Sequence, residues 1–318
     1  DSKIGTQVSL LYALNTLGAA TGCLITGFFL MGTFGVLQTV LLAAGANLLI
    51  GIGALSIYLE TVPGANWKFR LPPLRTPRLD WNADQKFWMG ISFICGFTAL
   101  AYEVLWTRLL VFSISSTVYS FSMMLTVFLL GIFLGSLLLI PLAGRIHNVR
   151  TALLLLQGGT GLYVIGSIYG IESILSAPWN GYNLTQPLSA FLRYFKDSAG
   201  LMLIPTLFLG MCFPLLIKTV SGGHQNVGKA TGQIYSANTF GAILGSLCAG
   251  FLFLPNMGSQ VSLTLVATLN LLTMVLLFRT GNYLTLPVRK GLTVVFAALI
   301  LFVNMAIPND LLNSFFMR

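Results

Sequence analysis

Acidic residues and histidines are scarce in this 318-residue chain, which holds eight Asp and Glu together and two His. Charged residues of both signs make up only 8%, against about 25% in soluble globular domains. That excludes water as the solvent of most of the surface. No serine–histidine–acid set, metal-ligand cluster or phosphate-binding loop stands out, and no cofactor is expected. His147 and His224 fall in polar loops rather than on facing helices, which removes the basis for membrane haem ligation. The four cysteines, Cys23, Cys95, Cys212 and Cys248, stand alone inside apolar stretches with no CxxC pair, so they read as buried free thiols rather than disulfide or zinc ligands. No cleavable signal peptide is visible, and the chain opens on Asp1, which suggests a piece of a longer protein.

What the chain does have is apolar length. Apolar residues make up 56% of it, and the mean hydropathy is +0.85. Runs near the roughly 20 residues that cross a hydrocarbon core recur from end to end. They are continuously apolar instead of alternating at period two, which predicts helices and excludes a barrel. The expected fold is all-α, a polytopic membrane helix bundle of about nine spans at 8–31, 37–59, 88–112, 117–141, 151–171, 198–218, 231–254, 258–278 and 291–308. The lipid bilayer is therefore the first partner.

The formal charge of +9 does not imply a nucleic-acid partner, because the basic residues are not gathered on one exposed face. They sit in alternate short loops: Lys68, Arg70, Arg75, Arg78 and Lys86, then Arg145 and Arg150, Lys218 and Lys229, and Arg279, Arg289 and Lys290. The intervening loops at 32–36, 113–116 and 255–257 have none. Cytoplasmic loops retain Lys and Arg, so the amino end is expected inside the cell and the carboxyl end outside it. Segment 61–86, with Pro63, Pro72, Pro73 and Pro77, reads as a stiff cytoplasmic connection. Segment 172–197, with Trp179, Tyr182, Phe191, Tyr194 and Phe195, reads as an outer loop ending in an interfacial helix.

The chain also matches itself. YALNTLGAATGCLITGFFLMGTFG at 12–35 aligns without gaps to YSANTFGAILGSLCAGFLFLPNMG at 235–258. Asn15, Gly18, Gly22 and Gly35 recur as Asn238, Gly241, Gly245 and Gly258, and further on Asn47, Leu48 and Leu49 recur as Asn270, Leu271 and Leu272. Both copies run in the same direction by the charge rule, as parallel repeats do. The expected organisation is the last two helices of one repeat at 1–60, a basic linker at 61–87, a complete six-helix, major-facilitator-like repeat at 88–278, and a basic loop with a final helix at 279–318.

GFTALAYEVLWTRLL at 96–110, GSLLLIPLAGRIHNVR at 135–150, LFLGMCFPLL at 207–216 and both copies of the Y-x-x-N-T-x-G-A-x-x-G element resemble bacterial membrane proteins described as fused major-facilitator-like and spermidine-synthase proteins. The resemblance implies a transporter-like membrane half joined to an aminopropyltransferase-like domain. A synthase of that kind needs a glycine-rich, acidic nucleotide-binding motif after a strand, and nothing here supplies one. Loop 144–150 also lacks the acidic residue of the major-facilitator signature turn.

Glu103 is the acidic residue read as lying deep in an apolar span, where an ionisable group costs about 2.5–3.5 kcal/mol on insertion scales unless compensated. Arg108 lies about 140° around the helix, so it shares no face with Glu103 and is expected to reach the headgroups as a structural residue. Glu103, with Tyr102 beside it, is the first candidate for binding a cation or relaying a proton. A hydrogen bond between helices is the structural counterpart. Asn15, Asn238, Asn47 and Asn270 are amides at matched depth, suited to cross-helix hydrogen bonds or to lining a substrate path. Gly18, Gly22, Gly241 and Gly245 are expected to let helices approach closely. Three functions fit these residues: a transporter-like domain handling a polyamine or other organic cation, a non-transporting scaffold or subunit of a larger membrane complex, and the membrane half of an aminopropyltransferase whose catalytic domain lies elsewhere.

Overall fold

The computed structural model describes residues 2–61, 82–114, 117–142, 144–171, 187–221, 227–281 and part of 290–300. Most of the linker at 61–87, the first half of the outer loop, His224 and more than half of the final span at 291–308 lie outside the described residues. Eight α-helices are present among the described residues: α1 (Ser2–Ile25), α2 (Met31–Thr61), α3 (Ala83–Ile114), α4 (Val118–Leu142), α5 (Val149–Tyr169), α6 (Pro187–Ser221), α7 (Val227–Leu247) and α8 (Leu254–Thr280). Short π-helical segments join α1 to α2 at Thr26–Leu30 and α7 to α8 at Cys248–Phe253. No strand occurs among the described residues.

The first eight of the nine spans expected from hydropathy become, among the described residues, six continuous helical stretches long and apolar enough to cross a membrane: Gln7–Thr61, Ala83–Val111, Val118–Leu142, Val149–Tyr169, Ser189–Val220 and Thr231–Thr280. The cause is local. At 1.5 Å per residue, a straight run over Gln7–Thr61 would measure about 80 Å, far beyond a hydrocarbon core of roughly 30 Å. A single residue, Gly35, breaks it with φ 73° and ψ 175°. Gly258 breaks the last stretch in the same way, with φ 72° and ψ 174°. That region is essentially closed to side-chain-bearing residues. Apolar periodicity carries no mark of a one-residue bend. The two bends and the two π segments fall at matching places in the self-similar stretches, but the described helices do not establish a major-facilitator-like repeat.

The end of the segment expected to close in an interfacial helix runs without a break into the next span as the start of α6, and Phe191 and Tyr194 there pack against the core. Asn148 starts α5 by accepting a hydrogen bond from the backbone N–H of Thr151 at 3.1 Å, the usual way a helix start satisfies an orphan donor.

The bundle packs α3 against α7, α4 against α6 and α1, and α5 against α8 and α6. Small residues permit these approaches. A β-carbon at Gly241 or Gly245 would lie 2.0 or 2.1 Å from the backbone oxygens of Phe93 and Phe97 on α3. One at Gly135 would lie 2.0 Å from the Leu207 oxygen on α6. The core around Tyr102, Leu105, Trp106, Met123, Val127 and Val266 is fully buried. Many large apolar side chains outside it are exposed, among them Leu155, Leu162 and Phe251. With lipid as solvent this is the stable arrangement, since every helical backbone group is satisfied internally. Together these features make a multi-pass membrane protein.

On the side carrying loop 144–148, Arg150 lies over the rings of Phe87 and Trp88 at 5.3 and 5.2 Å and donates to the backbone oxygen of Thr280. Lys218 donates to the Ile146 oxygen at 3.1 Å. Two of the basic loop residues therefore tie helix ends together.

Candidate functional site

Successive helical residues point about 100° apart, so Tyr102 and Glu103 part company on α3. Tyr102 is fully buried, stacked on Trp106 with ring centres 4.8 Å apart and planes at 14°. Its hydroxyl donates a long hydrogen bond, 3.4 Å, to Oδ1 of Asn270 on α8. Asn270 in turn donates from Nδ2 to Oε1 of Gln157 on α5 at 2.9 Å. Gln157 then directs Nε2 at the sulfurs of Cys95 on α3 and Cys212 on α6, at 3.0 and 3.7 Å. One polar relay thus joins four helices inside an apolar core. Interhelical hydrogen bonds of this kind contribute on average about 0.6 kcal/mol each in membranes, so the relay fixes register more than it adds stability.

Glu103 turns the other way, and it is half-buried. Its backbone oxygen accepts from Thr107 Oγ1 at 2.6 Å, but its carboxylate has no hydrogen-bond or ion-pair partner among the described residues. Cys23 on α1 is within its electrostatic reach. The carboxylate therefore stands half-buried in the middle of an apolar helix. Arg108 is exposed near the end of α3 and has an interaction of its own.

The repeated asparagines occupy unlike surroundings. Asn270 is buried in the relay, and Asn238 is half-buried, with its backbone oxygen against Gly96 of α3. Asn15 and Asn47 are exposed. Gly18 and Gly22 face open space, unlike Gly241 and Gly245. The structure thus brings Tyr102 and Asn270 together and leaves Glu103, Asn15, Asn47 and Asn238 apart from them.

Sequence reasoning missed Gln157, an amide in the middle of an apolar span that its depth alone could have flagged. It also placed Arg193 and Asp197 in an outer segment that ends in an interfacial helix rather than in a buried part of a span. Both are buried on α6 and paired at 4.0 Å across one helical turn, so Glu103 is not the only carboxylate within a helix of membrane-spanning character. The reason is the four-residue spacing, which lets a charged pair enter the apolar phase together. The buried indole N–H of Trp106 has no acceptor among the described residues. No group of three or more His, Cys, Asp or Glu able to hold a metal occurs among them either.

No family model and no solved structure matches the chain. Two curated proteins of Streptomyces coelicolor are distantly similar. Polyamine aminopropyltransferase 2 is 26% identical over 182 residues, 56% of this chain and 31% of that protein. Polyamine aminopropyltransferase 1 is 24% identical over 214 residues, 65% of this chain and 37% of that protein. The chain spans about a third of the length of the curated relatives it matches.

Proposed function

We propose that this chain is a transporter-like membrane module of a larger protein, and that it receives an organic cation of the polyamine kind at Glu103. The observation that carries the reading is the Glu103 carboxylate, half-buried and without a partner among the described residues in the middle of an apolar helix. An intramembrane ionisable residue is rare, costly and by default functional. A polyamine presents ammonium groups on an apolar methylene spacing, which suits one carboxylate in apolar surroundings. The names of the two relatives point to the same substrate class. In this reading 88–278 forms the working unit, 1–60 belongs to a preceding unit, 61–87 links them on the cytoplasmic side, and 279–318 leads towards a further domain. The amino end then lies in the cytoplasm and the carboxyl end outside an inner membrane.

The test is uptake and binding of a labelled polyamine by proteoliposomes holding the full chain or Glu103→Gln, which removes the charge and keeps the shape. Wild type should bind or accumulate the label, and the substitution should reduce this at least tenfold while the far-UV spectrum and melting temperature stay the same. Equal signals from the two proteins, or none from either for any cation offered, would sink the reading. A scaffold or subunit of a larger membrane complex would then remain, and the uncovered flank of α2 favours that alternative.

A further inference from the structure

Helix α2 runs for 31 residues and, among the described residues, packs substantially against nothing but the π segment that precedes it. Its self-similar counterpart, α8, is buried along one side by α5 and α3. Matching positions show the contrast. Leu263, Leu271 and Val275 on α8 are 1%, 3% and 7% exposed, whereas Val40, Leu48 and Ile52 on α2 are 56%, 66% and 52% exposed. Asn270 is in the relay with Gln157, whereas Asn47 projects from an apolar helix without a hydrogen bond among the described residues.

Lipid alone does not account for this flank. The opposite side of α2, a shallow groove lined by Gln38, Leu42 and Leu49 among others, matches Val261, Leu265 and Leu272 on α8, which are themselves 42%, 41% and 48% exposed. Both helices therefore share a lipid-facing side. The side bearing Asn47 is the one that α8 uses for protein contact. Its neighbour α1 repeats the pattern, since Gly18 and Gly22 are open where Gly241 and Gly245 receive α3.

We propose that the Asn47 flank of α2 is a docking surface for another membrane helix of α5 chemistry, apolar throughout, with a mid-span carboxamide opposite Asn47 and small residues beside it. On α5 those features are Gln157, which pairs with Asn270, and Gly161, where a β-carbon would lie 2.8 Å from both the Ala267 oxygen and a Leu271 side-chain carbon. Ala267 and Leu271 match Ala44 and Leu48 on α2. The α5 of a second copy does not fit, because its Gln157 and Gly161 are already against its own α8. The occupant is a further transmembrane segment outside this chain's described helices.

The test uses a donor-labelled synthetic peptide of the α5 sequence, Val149–Tyr169, and the full chain with an acceptor on an amino-terminal tag, both in proteoliposomes. Energy transfer should saturate with peptide and exceed that of a scrambled peptide. Asn47→Leu in the chain should raise the half-saturating peptide fraction about threefold to tenfold, the usual range for one interhelical hydrogen bond. Gln157→Leu in the peptide should do the same, and combining the two should add little. Asn47 is exposed, so its replacement leaves the fold intact, and Glu103→Gln should leave the titration unmoved. Transfer no better than the scrambled control, or saturation that neither substitution shifts, overturns the proposal. So does self-association of the chain that Asn47→Leu weakens without peptide, which would make a second copy the occupant.

Discussion

The two asparagines at matching places, Asn47 and Asn270, show how far a residue's identity reaches and where it stops. Both were legible as amides in apolar helices, but their surroundings were not, because a partner such as Gln157 comes from a helix more than a hundred positions away. Removing a buried hydrogen-bonding partner costs more than the bond itself contributes, since the group left behind stays desolvated. Asn270→Leu should therefore lower stability by about 1–2 kcal/mol by stranding Gln157 and Tyr102, whereas Asn47→Leu should cost nothing. Reversible denaturant titration of both variants in detergent, tracked by circular dichroism, checks the pair. Equal losses would mean that the relay is not what distinguishes them. Glu103 was legible for the opposite reason: a carboxylate in an apolar run is conspicuous whatever packs around it. Asp197 escaped because Arg193 and Lys196 nearby made its segment look aqueous.

At the level of elements, continuous apolar runs located every described helix, and the errors lie at ends and bends. Hydropathy reports on side chains, whereas the breaks at Gly35 and Gly258 are backbone events, visible in sequence only as glycines shared by two similar stretches. The same stretches show that identical residues need not do identical work. Gly245 lets α7 lie against the α3 backbone, while Gly22 on α1 meets nothing. Gly245→Leu should therefore force α3 and α7 apart and lower the melting temperature by several degrees or prevent folding, whereas Gly22→Leu should melt like wild type. Fluorescence-detected size exclusion across a temperature series gives both values. A loss at Gly22 comparable to that at Gly245 would show that α1 has a close neighbour on that side within the chain itself.

For the whole molecule, the alternation of basic and uncharged loops leads to a definite orientation, which the helices alone leave unspecified. His147 in the loop before α5 is exposed, and it should be cytoplasmic by the charge rule. His147→Cys should react with a membrane-impermeant thiol reagent only in inside-out vesicles, and Thr117→Cys, before α4, only in right-side-out ones. The reverse pattern would invert the topology and put the linker at 61–87 outside. The contrast between α2, which among the described residues packs on the π segment before it, and the closely packed α1 and α3 to α8 had no counterpart in composition, since both are apolar.

The π segment at Cys248–Phe253 sets the direction in which α8 departs. A π turn holds an extra residue relative to an α turn, and each helical residue carries the chain about 100° around the axis. The wide turn absorbs that extra residue, so deleting one there, Leu252 for instance, would restore regular α-helical winding and leave the Gly258 bend facing nearly the same way. Deleting one residue from the regular winding of α7 instead would turn α8 by about 100°, with Asn270 facing away from Gln157 and the flank now covered by α5 left as bare as that of α2.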